Sequence, residues 1–207
     1  FQHLRLRAFE ISSRLIAEGA EIIVVACNTA TAAAISYLRE QFDIPFIGME
    51  PAIKPALLHS RSGVVGVLAT AGTFKGSLYQ STLDRFSGSV RVIEQVGEGL
   101  VETVEKGIFD GPEVEELINR CISPMLAGNA DHIVLGCTHY PFLQPVIERL
   151  AGPSVTIINP APAVAKQTAR ILGERRVLAT TGRGSREFLS SGDASILAEL
   201  GNKLHLF

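Results

Sequence analysis

The sequence predicts an α/β fold built on mainly parallel sheets flanked by helices, and three observations predict it. Short β-branched runs alternate with longer helical patterns along the chain. Runs such as residues 22–26 and 63–69 are apolar throughout, as strands covered on both faces are. Two strand-to-helix junctions, Val24-Val25-Ala26-Cys27-Asn28-Thr29 and Val134-Leu135-Gly136-Cys137-Thr138-His139, share one layout.

The elements follow in order. Residues 1–20 read as a helix, with Leu4, Ala8, Ile11, Leu15 and Ile16 at apolar positions. A strand over 22–26 leads into an Ala-rich helix over 28–42, stopped near Pro45. Residues 45–49 form the next strand and 51–59 a helix opened by proline. A buried strand over 63–69 turns through Gly and Thr into a helix ending at Phe86, and 90–94 is a strand. Helices cover 98–106 and 113–127. The alternation then resumes with a strand at 132–135, a helix at 141–150, a strand at 155–158, a helix at 161–172 and a strand at 177–181. The tail, 185–201, reads as two short helices. The unit is too irregular for a solenoid.

Composition removes several function classes. Of 207 residues, 46% are hydrophobic and 19% charged, enough to bury a sizeable core. A net charge of −2 with scattered basic residues gives no surface for nucleic acid or an anionic membrane. No apolar run approaches a bilayer-spanning length and no secretory signal is visible, so a cytoplasmic protein is expected.

The odd count of three cysteines, Cys27, Cys121 and Cys137, without a secretory context argues against a disulfide framework, and their wide spacing with no C-x-x-C and no nearby His pair argues against a structural zinc site, so no metal is expected. Cys121 falls on the apolar side of a helix and reads as core. Cys27 and Cys137 stand where a strand ends and a helix begins, the edge at which open α/β sheets bind ligands. A thiol there meets free backbone N–H groups and the positive end of the helix dipole, which favour the thiolate and lower its pKa. Two opposed bases are what inversion of a carbon centre needs, one removing a proton and one returning it. Asn28, Thr29, Thr138 and His139 add donors and acceptors suited to an amino acid. Each junction alone equally describes a buried Cys followed by ordinary capping residues. It is the recurrence of the layout that points to chemistry.

Other features read plainly. The glycines between 63 and 76 fit no phosphate-loop spacing and mark a tight turn. Lys54 and Lys75 lack the surroundings of a pyridoxal-phosphate site. His132 reads as a surface or edge residue, and Glu98 and Glu102 as a solvated helix face.

The motifs resemble one family. Ala26-Cys27-Asn28-Thr29-Ala30 resembles the first cysteine motif of the glutamate racemases, and Gly136-Cys137-Thr138-His139-Tyr140-Pro141 their second. Glu50-Pro51-Ala52-Ile53-Lys54-Pro55-Ala56 is similar to their interdomain segment, and Val67-Leu68-Ala69-Thr70 with Gly72-Thr73 to the opening of their second lobe. The matches run in family order over most of residues 20–165. The resemblance implies two pseudo-symmetric α/β lobes with the active site between them, no cofactor, and D-glutamate supply for peptidoglycan. It implies a split first lobe, residues 1–53 plus 159–207, and a second lobe, 54–158. By it Cys27 deprotonates D-glutamate and Cys137 L-glutamate, Asn28, Thr29, Thr138 and His139 contact substrate, and His139 assists its neighbouring thiol. A homodimer is left open.

The chain starts at Phe1 inside a helical pattern, and the family's Asp-Ser-Gly and Pro-Tyr-Gly segments do not precede it, so an upstream piece is expected. Asn159-Pro160-Ala161-Pro162 stands where Asp-Ser-Gly-like residues are expected. Two rivals remain: a racemase for aspartate or a hydantoin, and a non-catalytic racemase-like fragment that binds only ligand or partner. The His after Cys137-Thr138 favours glutamate, since aspartate racemases tend to carry an acidic residue there.

Overall fold

The apolar runs form six strands, all paired in parallel, in a computed structural model that describes residues 1–179, 181–182 and 184–203. They divide into two sheets. The smaller pairs β1 (Ile23–Val25) with β2 (Phe46–Gly48). The larger holds β3 (Val64–Ala69), β4 (Arg91–Val96), β5 (His132–Gly136) and β6 (Thr156–Ile158) in the order β4-β3-β5-β6. β3 and β5 are central, and Val65, Val67, Leu68, Ile133, Val134 and Leu135 are fully buried, as non-alternating apolar runs require.

Helices cover the sheets. Around the smaller one lie α1 (Gln2–Ala17) and α2 (Asn28–Gln41), which pack on each other. Around the larger lie α3 (Ile53–His59), α4 (Ala71–Phe74), α5 (Ser77–Phe86), α6 (Leu100–Glu105), α7 (Pro112–Ala127) and α8 (Gln144–Ala151). A 3-10 turn, Tyr140–Leu143, leads into α8. α9 (Ala161–Glu174) returns to pack against β2, and α10 (Ala194–Lys203) follows. Two cores lie on the faces of the larger sheet, one centred on Leu100, Ile118, Ile122 and Leu135, the other on Ile53, Leu57, Val67 and Val134. A third, with Ile23, Ile35, Leu38 and Phe46, supports the smaller sheet.

Four expectations are corrected. The strand over 177–181 does not form: residues 177–179 are irregular, Leu178 is exposed, and Thr180 lies outside the described residues. The cause is local. α9 ends with Arg176 at φ 60°, and the N–H groups of Arg176 and Val177 donate back to the carbonyls of Gly173 and Leu172. That reversal turns the chain away from the sheet. Within 185–201 the described residues form one helix, α10, rather than two. β1 is not covered on both faces, because Val24 is 39% exposed. His132 is not an edge residue: it lies in β5 between Val65 and Thr156, with its ring mostly buried against Asp131.

Candidate active site

The order of the larger sheet locates a crevice. The chain leaves β3 toward β4 on one side, and β5 toward β6 on the other. The boundary between β3 and β5 is therefore a topological switch point, and the space beyond their carboxyl ends is where such sheets bind ligands. Thr70 follows β3 there and Cys137 follows β5, while Cys27 arrives from the end of β1 in the other sheet. A cleft of about 270 Å³ lies between them, lined by Ala26 to Thr29, Thr70, Thr73, Val101 and Gly136 to His139. All six residues singled out in the sequence meet in it.

Cys27 is the N-cap of α2. Its backbone is extended, and its Sγ accepts from the N–H of Ala30 at 3.4 Å. The thiol is thus held over the first turn of a 14-residue helix while Cys27 stays exposed to the cleft. Cys137 differs, being only 8% exposed. Burial pushes its thiol pKa up, and a negative Cys27 across the cleft adds to the rise. The backbone N–H groups of His139, Tyr140 and Thr138 oppose this but do not outweigh it. The expected lowering is therefore reversed at Cys137, because desolvation exceeds the pull of the following turn.

His139 stands beside the buried thiol. Its Nδ1 lies 3.8 Å from the Cys137 Sγ, and its Nε2 lies 3.1 Å from Glu105 Oε1 at the end of α6. A carboxylate beside Nε2 accepts a hydrogen bond from the ring N–H and so favours the tautomer with hydrogen on Nε2. Nδ1 is then an acceptor facing the thiol. Thr138 lines the same wall.

On the opposite wall Asn28 is 4% exposed, and neither its Nδ2 nor its Oδ1 has a partner among the described residues. A buried amide without partners costs about 1–3 kcal/mol, and its position at the cleft marks a place for a polar ligand. Thr29 Oγ1 lies 2.9 Å from Thr70 Oγ1 and 3.3 Å from Thr73 Oγ1. No Lys or Arg stands among the residues lining the cleft. An anion there meets neutral donors and the α2 N-terminus.

Sequence reasoning missed Glu105 as a partner of His139, and Thr70 and Thr73 as lining residues. The two threonines carry a legible signal, since they follow a central strand. Glu105 carries none, because it joins the site only through the packing of α6 on the turn after β5. Cys121 is core as expected, its Sγ 3.8 Å from the Val96 carbonyl. Lys54 sits over the Phe86 ring at 4.5 Å.

Comparison with known proteins finds relatives over most of the chain. The family model described as Asp/Glu/Hydantoin racemase matches residues 5–168. A glutamate racemase from Ectopseudomonas mendocina (strain ymp) is 48% identical over 193 residues, covering 93% of this chain and 73% of the relative. One from Roseiflexus sp. (strain RS-1) is 46% identical over 206 residues, covering 98% and 76%. Among solved structures, a glutamate racemase isoform from Bacillus anthracis superposes with a TM-score of 0.86 at 28% identity, covering 100% of this chain and 78% of that one. The Escherichia coli glutamate racemase, solved with L-glutamate and the activator UDP-MurNAc-ala, gives 0.81 at 28%, covering 98% and 78%.

Proposed function

The chain belongs to the Asp/Glu/Hydantoin racemase family, and from that premise we propose that it interconverts L- and D-glutamate by proton transfer between two thiols. The observation that carries the reading is Cys27 and Cys137 lining one cleft from two different sheets. Glutamate is the substrate that the relatives' names give.

In the L-to-D direction His139 takes the Cys137 proton, and the thiolate removes the Cα proton from one face. Cys27, as a thiol, gives its proton to the other face, and the D enantiomer forms. The reverse direction exchanges the roles. The chemistry requires one thiolate and one thiol at a time. Mutual repulsion of the two negative sulfurs, felt at Cys137, favours that singly protonated pair. The Asn28 amide, the Thr29 and Thr138 hydroxyls and the α2 N-terminus receive the carboxylates and the amino group. We assign residues 54–158 to one lobe and 1–53 with 159–207 to the other, a division supported by the return of α9 to β2. Among the described residues no helix is long and apolar enough to cross a membrane. D-glutamate made in the cytoplasm for peptidoglycan is the role proposed for the product.

The test is loss of optical rotation from each glutamate enantiomer, with aspartate in parallel. Racemisation of glutamate and not aspartate is expected. Aspartate turnover in place of glutamate overturns the substrate assignment.

A further inference from the structure

No described residue of 185–203 lines the cleft, yet this segment touches the elements behind both of its walls. It first runs along α1. Arg7 Nη2 donates to the Ser191 hydroxyl at 3.2 Å, and the pKa of Arg14 is raised by its bond to Glu18 and further by the charge of Glu187. Arg7 and Arg14 lie two helical turns apart on one face of α1, so Glu187 and Ser191 follow that face in the opposite direction. α10 then leaves α1 and spans about 15 Å with its 10 residues. Leu197 and Leu200 are half-buried and Gly201 is buried, so one face of α10 packs down on the molecule.

The last turn of α10 ends on the other wall. Lys203 Nζ donates to the carbonyl of Lys106 at 3.0 Å, across 97 residues of chain. Lys106 is the C-cap of α6, and its carbonyl is among those that a helix end leaves without an intrahelical donor. Gly107 makes room for this contact: its φ is 67°, and a Cβ on it would overlap the Lys203 side chain. The two anchors serve different sheets. α1 packs on α2, whose N-cap is Cys27. α6 lines the cleft with Val101 and holds His139 through Glu105.

We propose that residues 185–203 are a strap across the two walls of the cleft, and that Lys203 is a positioning residue acting through α6. This rests on the racemase reading, in which both walls hold substrate. With both ends engaged, the strap restrains α6 relative to α1 and favours the separation at which Cys27 and Cys137 face one ligand. Substrate bridges the walls from inside and favours the same state. Each therefore strengthens the other, and a chain with one anchor cut spends part of its time in a more open, weaker-binding state. Lys203 does not line the cleft, so proton transfer in the bound state proceeds without it.

The test uses the full chain with Lys203→Met, which removes the donor, Lys203→Arg, which keeps one, and Arg7→Ala with Arg14→Ala, which cuts the other anchor. Steady-state racemisation and calorimetric titration with L-glutamate give KM, kcat and Kd. Either cut is expected to raise KM and Kd about two- to tenfold, the range of one exposed hydrogen bond. The rise in KM is the same for both enantiomers, and kcat is nearly unchanged. Lys203→Arg should bind as the wild type does. Joining Lys203→Met to the α1 substitutions should cost no more than either cut alone, because a strap freed at one end is already released. Hydrogen exchange adds a readout that a merely structural lysine would not move. L-glutamate is expected to slow exchange in α10 of the wild-type chain and not in Lys203→Met. Unchanged KM and Kd in Lys203→Met, losses that add fully, or exchange in α10 indifferent to glutamate overturn the proposal while leaving the racemase reading intact. A wild-type chain that neither binds nor racemises glutamate overturns both.

Discussion

At position 139 an imidazole is held on one side by Glu105 and turned on the other toward Cys137. Removing the Glu105 charge while keeping its shape tests whether that orientation matters. Glu105→Gln is expected to lower kcat by about 10–100-fold for L-glutamate, whose proton Cys137 is proposed to remove, and less for D-glutamate. Separate progress curves from each enantiomer check the asymmetry; equal losses in both contradict the assignment. The raised pKa of Cys137 also fixes a sign. A buried thiol is neutral below its pKa, so the L-to-D rate climbs with pH as the thiol ionises. A pH profile of kcat for L-glutamate that falls between neutral and mildly alkaline pH contradicts it. The legibility of the site follows from the same geometry. Cys27, Asn28, Thr29, Cys137, Thr138 and His139 stand in two short runs at strand ends, where local sequence speaks. The altered ionisation of Cys137 and the Glu105 contact arise only when α6 and the turn after β5 close over the thiol.

Among the elements, β5 is anchored at the end remote from the cleft. The Asp131 carboxylate accepts from the backbone N–H groups of Arg61 and Ser62 at 2.6 and 2.9 Å and from the Ser60 hydroxyl at 2.8 Å, and it pairs with His132 at 2.8 Å. Burial alone pushes this carboxyl up, but the hydrogen bonds from His132, Ser62, Arg61 and Ser60 together hold it well below the usual carboxylate range. A folded-state pKa below the unfolded one gives stability that is present above about pH 4 and lost as pH falls toward the folded value. Asp131→Asn is expected to cost about 1–3 kcal/mol at pH 7 in urea unfolding, with the deficit shrinking in acid. A variant as stable as wild type at pH 7 contradicts the role. Each strand of the two sheets overlaps a run read as a strand in the sequence, although β4 carries Arg91, Glu94 and Gln95 among its apolar residues. The run at 177–181 misleads because β-branched residues state a preference and not a partner. The hydrogen bonds that end α9 decide where Val177 goes, and periodicity carries no trace of them.

For the molecule as a whole, parallel sheets follow from alternation, and the placing of two thiols at strand ends follows from the repeated junction. Their meeting in one cleft does not follow from either. It depends on α2 resting on Gly72 and Gly76 and on α9 folding back to β2, contacts between residues remote in sequence. In the sequence alone, the proposed two-lobe division rests only on the family resemblance. The chain matches about three quarters of its relatives' length, 73% and 76% in the two compared, and both cysteine junctions lie within that span. The account's central claim is that two thiols on separate sheets act on one Cα from opposite faces, one removing its proton and the other delivering a new one. Proton NMR in D₂O, starting from L- and from D-glutamate in separate tubes, tests it most directly. The wild-type chain is predicted to place deuterium at Cα of the product as the enantiomer inverts. Cys27→Ser and Cys137→Ser are each predicted to lose inversion in both directions. Inversion with solvent deuterium at an undiminished rate in either variant contradicts the two-thiol mechanism.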